Sequence, residues 1–496
     1  MTDQVEIDYQ QSYDQKSVLI IGAGPCGLSS LKYLSNMVNV ICIECKEDLG
    51  GQWRQEKYTE ETYPNLQNNA FYNQHGALQS SMYENLICDV PKSFMIFKDT
   101  PAKQEYGEFM TCQQFYQYLQ DYSLKNDIKK KIVFKTYVQS VRLAVNLSED
   151  EKNQVGFQIS KKFLVQIVSN EDYTKNTRFL QADYVIVANG HNSVPNYPDI
   201  PNKNIFKAQM MHTHNYRENK TKVFQKKHLV IYGCGISSQD IVYILLKKTE
   251  EDQRPSKITM VGNQMMISLF KQTKSYLKEV ESGILTFLSP CIKQFESENS
   301  LVLEDGHKVE NIDIFMYATG YQYAFPFLDF EKDKLIDLYQ KRGANYSLGP
   351  LYLRTFSVRE PNLIFVGVLQ QVLSSQQGVE RQAILVSKVI TDEIKLPTQQ
   401  EMQEDFDKNY QEALTLYNDG NRYIRFSQHK GIDEFLFFRQ ISNLCGIPSD
   451  EEYNGYILKV LLPLYINAFL GNYPDLKQSN VSSQLPPGFF PKSGHF

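Results

Sequence analysis

The chain has 496 residues, 42% of them hydrophobic, and a formal net charge of −5. This length is typical of two or three domains with large cores, and the acidic balance gives no reason to expect a nucleic-acid partner. The eight cysteines show no disulfide framework, which favours reduced thiols and a cytoplasmic protein.

The two ends of the chain differ in composition. Residues 1–15 form a polar, acidic tail without the features of a signal or transit peptide. The most apolar late stretch, residues 456–470, contains Lys459 and Pro463 and is short for a membrane span. We therefore expect no transmembrane segment, and we predict a helical C-terminal region over residues 396–496.

The first predicted element is a buried parallel strand at residues 16–24, KSVLIIGAG, where an apolar run ends in glycines. A helix is predicted from Leu28 to Met37, followed by a second buried strand at residues 38–44. These elements form a β-α-β unit. The middle of the chain adds a helix from Thr111 to Ser123 and strands within 132–143, 162–168 and 182–190.

A second β-α-β unit starts with the apolar run at residues 227–235, continues as a helix to about Leu246 and returns at 257–262. Further buried strands are predicted at 311–320 and 362–368. Two such units, well separated along the chain, predict an α/β fold with two dinucleotide-binding, Rossmann-like domains. The domain of residues 196–314 would be inserted into a domain made of residues 16–195 and 315–395.

The first glycine turn, GAGPCG, places Gly22, Gly24 and Gly27 between a strand and a helix. The first glycine permits a tight turn, the second lets a pyrophosphate approach the backbone, and the third lets helix and strand pack closely. Glu44 ends the second strand, where its carboxylate can accept hydrogen bonds from ribose hydroxyls. A helix that merely starts at glycines would leave Glu44 unexplained, so we predict a dinucleotide site.

The second turn, GCGISS, has Gly233 and Gly235 but Ser238 in the third place. Serine is small enough for close packing, so the turn is weakened and not abolished. No acid ends the following strand, which mildly favours a 2′-phosphorylated ribose, but the arginine expected for that phosphate is also absent. The choice between NADPH and NADH stays open at this point.

Two cysteine and histidine patterns have competing interpretations. Cys42 and Cys45 form a C-x-x-C, but it begins inside an apolar run and not at a helix start, which favours structural cysteines over a redox pair. His212 and His214 alternate within residues 206–216, FKAQMMHTHNY, and could bind a metal, act as acid or base, or form a structural joint. Two histidines without a third ligand poorly support zinc, so no metal site is predicted.

These motifs resemble the flavin-containing monooxygenases over nearly the whole chain. GAGPCGL, Glu44 and GGQW resemble the FAD-binding run of that family, and residues 188–202 and 318–328 resemble its two crossings between domains. YENLICDVPKSFMIFKD, residues 83–99, resembles its substrate-side segment. Residues 206–216 resemble its fingerprint F-x-G-x-x-x-H-x-x-x-[FY], with Ala208 in place of the glycine. Tyr216 favours the branch that oxidises heteroatoms over the Baeyer–Villiger branch, which carries tryptophan there.

The resemblance implies FAD and NADPH as cofactors, and it names the residues that would bind them. The FAD domain would be residues 16–195 and 315–395, and the NADPH domain residues 196–314. The implied FAD contacts are Gly22, Ala23, Gly24, Pro25, Cys26, Gly27, Glu44, Gln52 and Trp53. The implied contacts of the nicotinamide dinucleotide are Gly233, Gly235, Ser237 and Ser238, and further cofactor contacts are implied at Val90, Val138, Thr319 and Gly320.

The resemblance also implies the reaction. NADPH gives a hydride to the flavin, dioxygen adds to form a C4a-hydroperoxide, and a nucleophilic nitrogen or sulfur of a small molecule takes the distal oxygen. The protein excludes water and holds NADP⁺ in place. On this basis Phe206, His212 and Tyr216 are interpreted as a joint between the domains. Ala208 is its expected weak point, since a conformation that needs glycine would be lost there.

One departure from the family pattern concerns chemistry. The family has asparagine in its N-x-P position, and this chain has Asp89. A carboxylate donates a hydrogen bond only when it is protonated, and burial would favour that state. We therefore predict Asp89 as the catalytic position, where the substitution would leave the hydroperoxide less protected or change the substrate; a loop aspartate that points to solvent is the alternative.

The alternative function is a catalytically weakened flavoprotein that keeps the monooxygenase fold. It would be an NADPH oxidase or an inert structural or binding component, and Asp89, Ala208, Ser238 and the missing arginine favour it modestly. A disulfide reductase is a distant third interpretation because the C-x-x-C is misplaced. The substrate and the oligomeric state, whether a homo-oligomer or a component of an assembly, stay open.

Overall fold

The computed structural model describes residues 15–55, 80–84, 86–107, 109–169, 177–217, 222–262, 264, 267–268, 276–289, 291–341, 344–369, 375–417 and 431–449. Nearly all of the predicted N-terminal tail lies outside the described residues. The same holds for residues 450–496 of the predicted C-terminal region, which include the apolar stretch 456–470.

The described residues form α-helices and short strands in alternation. The helices are α1 (Pro25–Leu34), α2 (Lys92–Met95), α3 (Cys112–Lys125), α4 (Glu149–Asn153), α5 (Ile236–Tyr243), α6 (Leu277–Glu281), α7 (Ser375–Ile390), α8 (Gln399–Tyr417) and α9 (Gly431–Cys445). The strands are β1 (Ser17–Ile21), β2 (Asn39–Ile43), β3 (Ile132–Val133), β4 (Thr136–Leu143), β5 (Phe163–Ser169), β6 (Thr177–Ala182), β7 (Tyr184–Val187), β8 (Val194–Pro195), β9 (Gln209–His212), β10 (His228–Tyr232), β11 (Lys257–Val261), β12 (Leu285–Leu288), β13 (Ile292–Ser297), β14 (Ser300–Leu303), β15 (Lys308–Val309), β16 (Ile314–Tyr317), β17 (Tyr321–Gln322), β18 (Asp337–Lys341), β19 (Ala344–Gly349), β20 (Leu351–Tyr352), β21 (Phe356–Ser357) and β22 (Leu363–Phe365).

The first sheet has seven strands in the order β20-β21-β22-β7-β1-β2-β3. β1 pairs in parallel with β2 and β7, and β7 pairs in parallel with β22. Successive side chains of a strand point to opposite faces, so Val18 and Ile20 enter one apolar cluster and Leu19 and Ile21 enter another. The sheet is covered on both faces, which explains the continuous apolar runs in its strands.

Helix α1 begins at Pro25, earlier than the predicted start at Leu28, and ends at Leu34. Proline is favoured at the first position of a helix because the N–H that it lacks would have no partner there, and its φ is already helical. The helix packs against α7. Its early start brings the helix N-terminus directly against the first glycine turn.

The second sheet consists of five parallel strands in the order β12-β11-β10-β16-β9. In chain order it lies between β7 and β20, so it interrupts the first sheet as predicted. All of β16, Ile314–Tyr317, pairs within the second sheet. The predicted domain boundary at 314/315 falls inside this strand, and the pairing places residues 315–317 with the inserted part; the domain boundaries otherwise stay predictions.

Smaller units complete the described structure. β4-β5-β6 and β13-β14-β15 are antiparallel three-stranded sheets, β18 pairs with β19, and β8 pairs with β17 where the chain passes between the two large sheets. Helices α8 and α9 follow the first sheet, and Phe437, Phe438 and Ile441 of α9 are buried in the same apolar cluster as Val18. The predicted fold class is confirmed. Within the described residues, every helix is too short or too polar to cross a membrane.

Residues 206–216 connect the second sheet to its surroundings. Phe206 is buried against Phe295, with ring centroids 4.3 Å apart. The main-chain N–H of Ala208 donates to the carbonyl of Glu298 at 3.1 Å, and Ala208 is not among the described residues with positive φ. The expectation that Ala208 weakens this segment is therefore wrong, because its backbone does not need a glycine.

His212 has no exposed surface, and its hydrogen bonds fix its tautomer. Its Nδ1 accepts a hydrogen bond from the main-chain N–H of His214 at 3.0 Å, so Nδ1 carries no proton. Its Nε2 lies 3.1 Å from the carbonyl oxygen of Gly320, which can only accept, so Nε2–H is the donor. Burial lowers the pKa of His212 to about 4. A neutral imidazole thus links β9 to the residues that follow β16, which supports the structural interpretation.

This linkage predicts a pH dependence of stability. The pKa of His212 is lowered from 6.5 to about 4 on folding, so the unfolded chain binds the proton first and stability is lost as the pH falls through this window. Between pH 7.5 and pH 5 we expect His212 to account for about 2 kcal/mol of the decrease in the free energy of unfolding. Urea denaturation at both pH values measures it.

In His212→Asn the free energy of unfolding should differ less between the two pH values than it does in the wild type. The exposed His307 offers a control, because His307→Asn should keep the wild-type difference. Equal differences in the wild type and His212→Asn would contradict the assignment. Some pH dependence of the free energy of unfolding should remain in His212→Asn, since burial also lowers the pKa of His214, to about 3.

Candidate functional site

The first glycine turn is shaped by close backbone contacts. Gly22 has a φ of +100°, and a Cβ there would lie 2.7 Å from the carbonyl oxygen of Ala188. A Cβ at Gly27 would lie 1.8 Å from the carbonyl oxygen of Gly22. Both positions therefore need glycine, the first for its conformation as well as its size and the second for the close packing of α1 on the turn.

A second pair of glycines approaches the same turn. The main-chain N–H of Gly50 donates to the carbonyl of Ala23 at 2.9 Å, and a Cβ at Gly24 would lie 3.5 Å from Cα of Gly51. The following residues wind into a short 3₁₀ turn, Gly51–Trp53. Trp53 then packs edge-on against Phe115, with ring centroids 4.6 Å apart. The GGQW motif is thus the second wall of the first turn.

Glu44 lies at the end of β2 and is 3% exposed. Its Oε2 accepts a hydrogen bond from the N–H of Ala23 at 2.6 Å, and its Oε1 accepts one from the N–H of Lys46 at 2.9 Å. These bonds fix the carboxylate beside the turn. Each carboxylate oxygen has a second lone pair, so the group can still accept hydrogen bonds from a ligand.

These residues surround a cavity of about 290 Å³, close to the lower limit of ~300 Å³ for ligand pockets. Eight of the predicted cofactor contacts line it: Gly22, Gly24, Pro25, Cys26, Glu44, Gln52, Trp53 and Val138. Ala23, Gly27 and Val90 are not part of the wall that the described residues form. Ala23 acts through its bond to Glu44, and Gly27 lies behind the turn.

Sequence reasoning missed other wall residues. Residues 189–193 and Gly367 follow β7 and β22, and Lys46, Ser80 and Gln376 also line the cavity. Residues 189–193 and Gly367 could have been predicted as wall residues, because ligands bind at the carboxyl ends of parallel strands and both strands were predicted. Lys46 had the same signal, since it follows β2. Ser80 and Gln376 had none, because long-range folding brings them to the site.

The second glycine turn repeats the first with one difference. Gly233 has a φ of +118°, and a Cβ there would lie 2.2 Å from the carbonyl oxygen of Ala318. Ser238 is fully buried, and its hydroxyl donates to the carbonyl of Gly235 at 2.6 Å. The serine therefore fits in the third place. No described heavy atom lies within 4 Å of a Cβ built on Gly235, and the next residue, Ile236, is 39% exposed.

Thr319 and Gly320 are not among the described residues that line the cavity. Thr319 and Gly320 follow β16 and are held by Asn196: the Thr319 hydroxyl donates to the Asn196 carbonyl at 2.5 Å, and the N–H of Asn196 donates to the Gly320 carbonyl at 2.8 Å. The structure places them at the crossing between the sheets. Their predicted contact with a cofactor stays a prediction, as does that of Ser237.

Asp89 is half-buried, on a short segment held by backbone bonds to the residues before α3. It is not among the described residues that line the cavity. Its charge raises the pKa of the Tyr83 hydroxyl, although burial of Tyr83 is the larger cause. The Asp89 carboxylate therefore acts electrostatically on Tyr83. Tyr83 belongs to the chain segment whose residues Ser80 and Ser81 line the cavity.

The cysteine and metal alternatives are not supported. Burial raises the pKa of Cys42 well above its usual value, with a further increase from Glu44, so its thiol is inert. All eight cysteines are unpaired with one another. Within the described ranges, no three His, Cys, Asp or Glu side chains cluster as metal ligands would.

The two turns fit the two nucleotides that the motifs predict. At the first, the side chains absent from Gly24 and Gly51 leave backbone at the cavity wall, and Glu44 supplies a fixed acceptor for ribose hydroxyls. At the second, the open side of Gly235 and the first N–H groups of α5 suit a diphosphate. The donor and acceptor sets thus agree with FAD and a nicotinamide dinucleotide.

The chain is similar to known proteins. The family model described as FMO-like, flavin-binding monooxygenase-like, matches residues 15–254 and 277–439. Flavin-containing monooxygenase FMO GS-OX-like 9 of Arabidopsis thaliana is 28% identical over 444 residues, covering 88% of each chain. Human flavin-containing monooxygenase 2 is 25% identical over 460 residues, covering 82% of this chain and 78% of its own.

Solved structures agree in fold. S-allyl-L-cysteine S-oxygenase from Allium sativum superposes with a TM-score of 0.74 at 23% identity, covering 95% of this chain and 96% of its own. Tmm from Pelagibacter sp. strain HTCC7211 gives a TM-score of 0.66 at 22% identity, covering 91% and 93%. The family match spans most of the chain, both glycine turns included. The protein therefore belongs to the flavin-binding monooxygenase-like family, whose members use FAD and NADPH.

Proposed function

We propose that the protein uses NADPH and O₂ to oxygenate a nucleophilic nitrogen or sulfur of a small molecule, with FAD as the bound redox group. The observation that carries the proposal is the cavity at the first turn, bounded by Gly24, the fixed carboxylate of Glu44 and Trp53. The names of similar proteins support the substrate class. One is an S-oxygenase, and another similar protein, dimethylaniline monooxygenase 2 of Pan troglodytes, which is 25% identical over 460 residues, is named as N-oxide-forming.

We assign FAD to the first turn and NADPH to the second. Bound FAD would supply the redox chemistry, accepting a hydride from NADPH and passing electrons to O₂. The chain's own part is to bind and orient both nucleotides and to exclude water. In this proposal residues 16–195 and 318–395 form the FAD domain and residues 196–317 the NADPH domain, with the boundary moved to the end of β16.

We also propose a cytoplasmic location. The lack of disulfide bonds among the eight cysteines supports it, because thiols stay reduced in that compartment.

A second candidate function is an NADPH oxidase with weakened oxygenation. Asp89 favours it, since an ionised carboxylate only accepts hydrogen bonds, whereas the amide usual at this position also donates. Coupled oxygenation requires that the reduced site hold oxygen until a substrate arrives. A lost donor would release it as hydrogen peroxide, which makes the two functions distinguishable by their products.

The two glycine turns allow a matched test of the cofactor assignment. Gly24 and Gly235 both have φ values in the negative range, and a Cβ meets only ordinary contacts at Gly24 and none at Gly235. Alanine at either position should therefore leave the fold intact but obstruct a diphosphate. We expect Gly235→Ala to raise the KM for NADPH about tenfold, roughly 1.4 kcal/mol, with wild-type FAD content.

Gly24→Ala should instead lower the FAD content of the purified protein, measured by flavin absorbance. Circular dichroism controls for folding in both variants. Wild-type NADPH kinetics in Gly235→Ala, or wild-type FAD content in Gly24→Ala, would contradict the assignment of that turn.

Asp89→Asn tests the role of the carboxylate that stands where the family has asparagine. With dimethylaniline as substrate, we expect the ratio of hydrogen peroxide formed to NADPH consumed to fall at least twofold, because the amide restores a donor. Peroxide and NADPH are measured together in one oxidation assay. Asp99→Asn, at an aspartate after α2 that pairs with Lys32 of α1, is the control and should keep the wild-type ratio. An unchanged ratio in Asp89→Asn would show that Asp89 does not control leakage.

A further inference from the structure

Residues 80–83 run from the cavity wall to the second sheet. Ser80 and Ser81 line the cavity. The Ser80 hydroxyl donates to the carbonyl of Gln52 and accepts from the N–H of Met82 at 3.1 Å. This segment is therefore fixed to the GGQW wall at one end.

Arg217 holds the same segment from the other side. It is 1% exposed, and its guanidinium lies against main-chain carbonyls. Nη2 donates to the carbonyl of Ser80 at 2.7 Å, and Nη1 donates to the carbonyls of His214 and Tyr216 at 3.0 and 2.6 Å. The planar, fork-shaped guanidinium group of arginine can make these three bonds simultaneously. Arg217 thus joins the cavity wall to the loop that follows β9 of the second sheet.

Tyr83 completes the connection. Its hydroxyl donates to Oδ2 of Asp240 at 3.2 Å, and its ring packs edge-on against Tyr216 with centroids 5.2 Å apart. Tyr83 is 3% exposed and Asp240 8% exposed. Burial and the charge of Asp240 raise the pKa of Tyr83 well above its usual value, so the hydroxyl stays protonated and donates.

Asp240 belongs to α5, the helix that begins at the second glycine turn. Residues 80–83 therefore contact the wall of one nucleotide site and the helix of the other. They do so through side chains that the cofactor assignments do not use. We propose that residues 80–83 are a bridge that sets the position of the second nucleotide relative to the first, with Tyr83 and Arg217 as positioning residues.

The inference rests on the proposed function, with FAD at the first turn and NADPH at the second. A loosened bridge misaligns the hydride donor and acceptor while each nucleotide keeps its own contacts. Hydride transfer then slows, because it depends steeply on alignment. The reduced site also meets O₂ with NADP⁺ misplaced, so electrons leave without oxygenation: NADPH, O₂ and one proton give NADP⁺ and H₂O₂.

Tyr83→Phe tests the bridge, because it keeps the ring and removes only the hydroxyl. Anaerobic stopped-flow absorbance measures the rate of flavin reduction at saturating NADPH, and flavin absorbance measures the FAD content. We expect about a tenfold slower reduction with wild-type FAD content, and a higher ratio of H₂O₂ formed to NADPH consumed in the presence of dimethylaniline.

Thr259→Val is the matched control. Thr259 is a buried hydroxyl of the second sheet, hydrogen-bonded to His228 and Thr286 at 2.9 and 3.0 Å. Its loss should lower the unfolding temperature without slowing flavin reduction, which separates positioning from stability. Arg217→Lys keeps the charge and loses the fork, and we expect it to slow reduction as Tyr83→Phe does.

The outcomes are distinct. A wild-type reduction rate and a wild-type peroxide ratio in Tyr83→Phe overturn the bridge and leave the proposed function intact. Equal slowing in Thr259→Val also overturns it, since the effect would then be one of stability. A wild-type protein that binds FAD but is not reduced by NADPH overturns the proposed function and the bridge together.

Discussion

The left-handed turn at Gly22 is the constraint on which the first nucleotide site depends. β1 and β7 are neighbours, so the chain that leaves β1 must pass the end of β7, where Ala188 leaves no room for a Cβ. The N–H of Gly22 donates to the carbonyl of Ile43 at 2.8 Å, which ties the turn to β2 as well. Three strand ends therefore meet at one point. Glu44, next after β2, reaches Ala23 for this reason.

The second turn shows how far this arrangement tolerates change. The N–H of Gly233 donates to the carbonyl of Val261 at 2.8 Å, as Gly22 does to Ile43. The third place differs: a Cβ at Gly27 would strike the carbonyl of Gly22, whereas Ser238 is accommodated and its hydroxyl bonds to Gly235. The substitution that looked like a weakness in the sequence is thus compensated by a local hydrogen bond.

The fold was largely predictable because it rests on continuous apolar runs. Every buried run predicted as a strand overlaps at least one strand, although most of the strands are shorter than their runs. The start of α1 was missed because the expectation followed the apolar residues and not Pro25. The boundary within β16 was missed because an apolar run shows burial and does not show which sheet a strand joins.

The site was predictable only where motif and strand end coincide. Gly22, Gly24 and Glu44 line the cavity, and all three lie at the carboxyl ends of predicted strands; their contact with a cofactor stays a prediction. Arg217 and Tyr83 could not be found, because their roles depend on partners far away in the chain. A buried arginine that bonds to carbonyls looks, in sequence, like an ordinary surface arginine.

Binding and alignment are separate tasks in this molecule. The turns are made of backbone, so changes there act on binding or on folding. Tyr83, Arg217 and His212 form side-chain bonds at the crossings between the sheets. In our proposal the bonds of Tyr83 and Arg217 set how the two nucleotides meet. Because FAD and NADPH carry the chemistry, alignment is what the chain contributes to the outcome of each turnover.

Asp89 acts electrostatically on one residue of the proposed bridge. Its charge acts on the Tyr83 hydroxyl, which already donates to Asp240. Two carboxylates therefore act on one phenol, and an ionised Asp89 keeps the Tyr83 proton in place more firmly than an amide would. Asp89, the residue that departs from the family pattern, and the proposed bridge therefore both involve the Tyr83 hydroxyl. If the proposed roles of Asp89 and of the bridge both hold, a change at position 89 acts on the bridge as well as on peroxide leakage, and the two effects are energetically coupled.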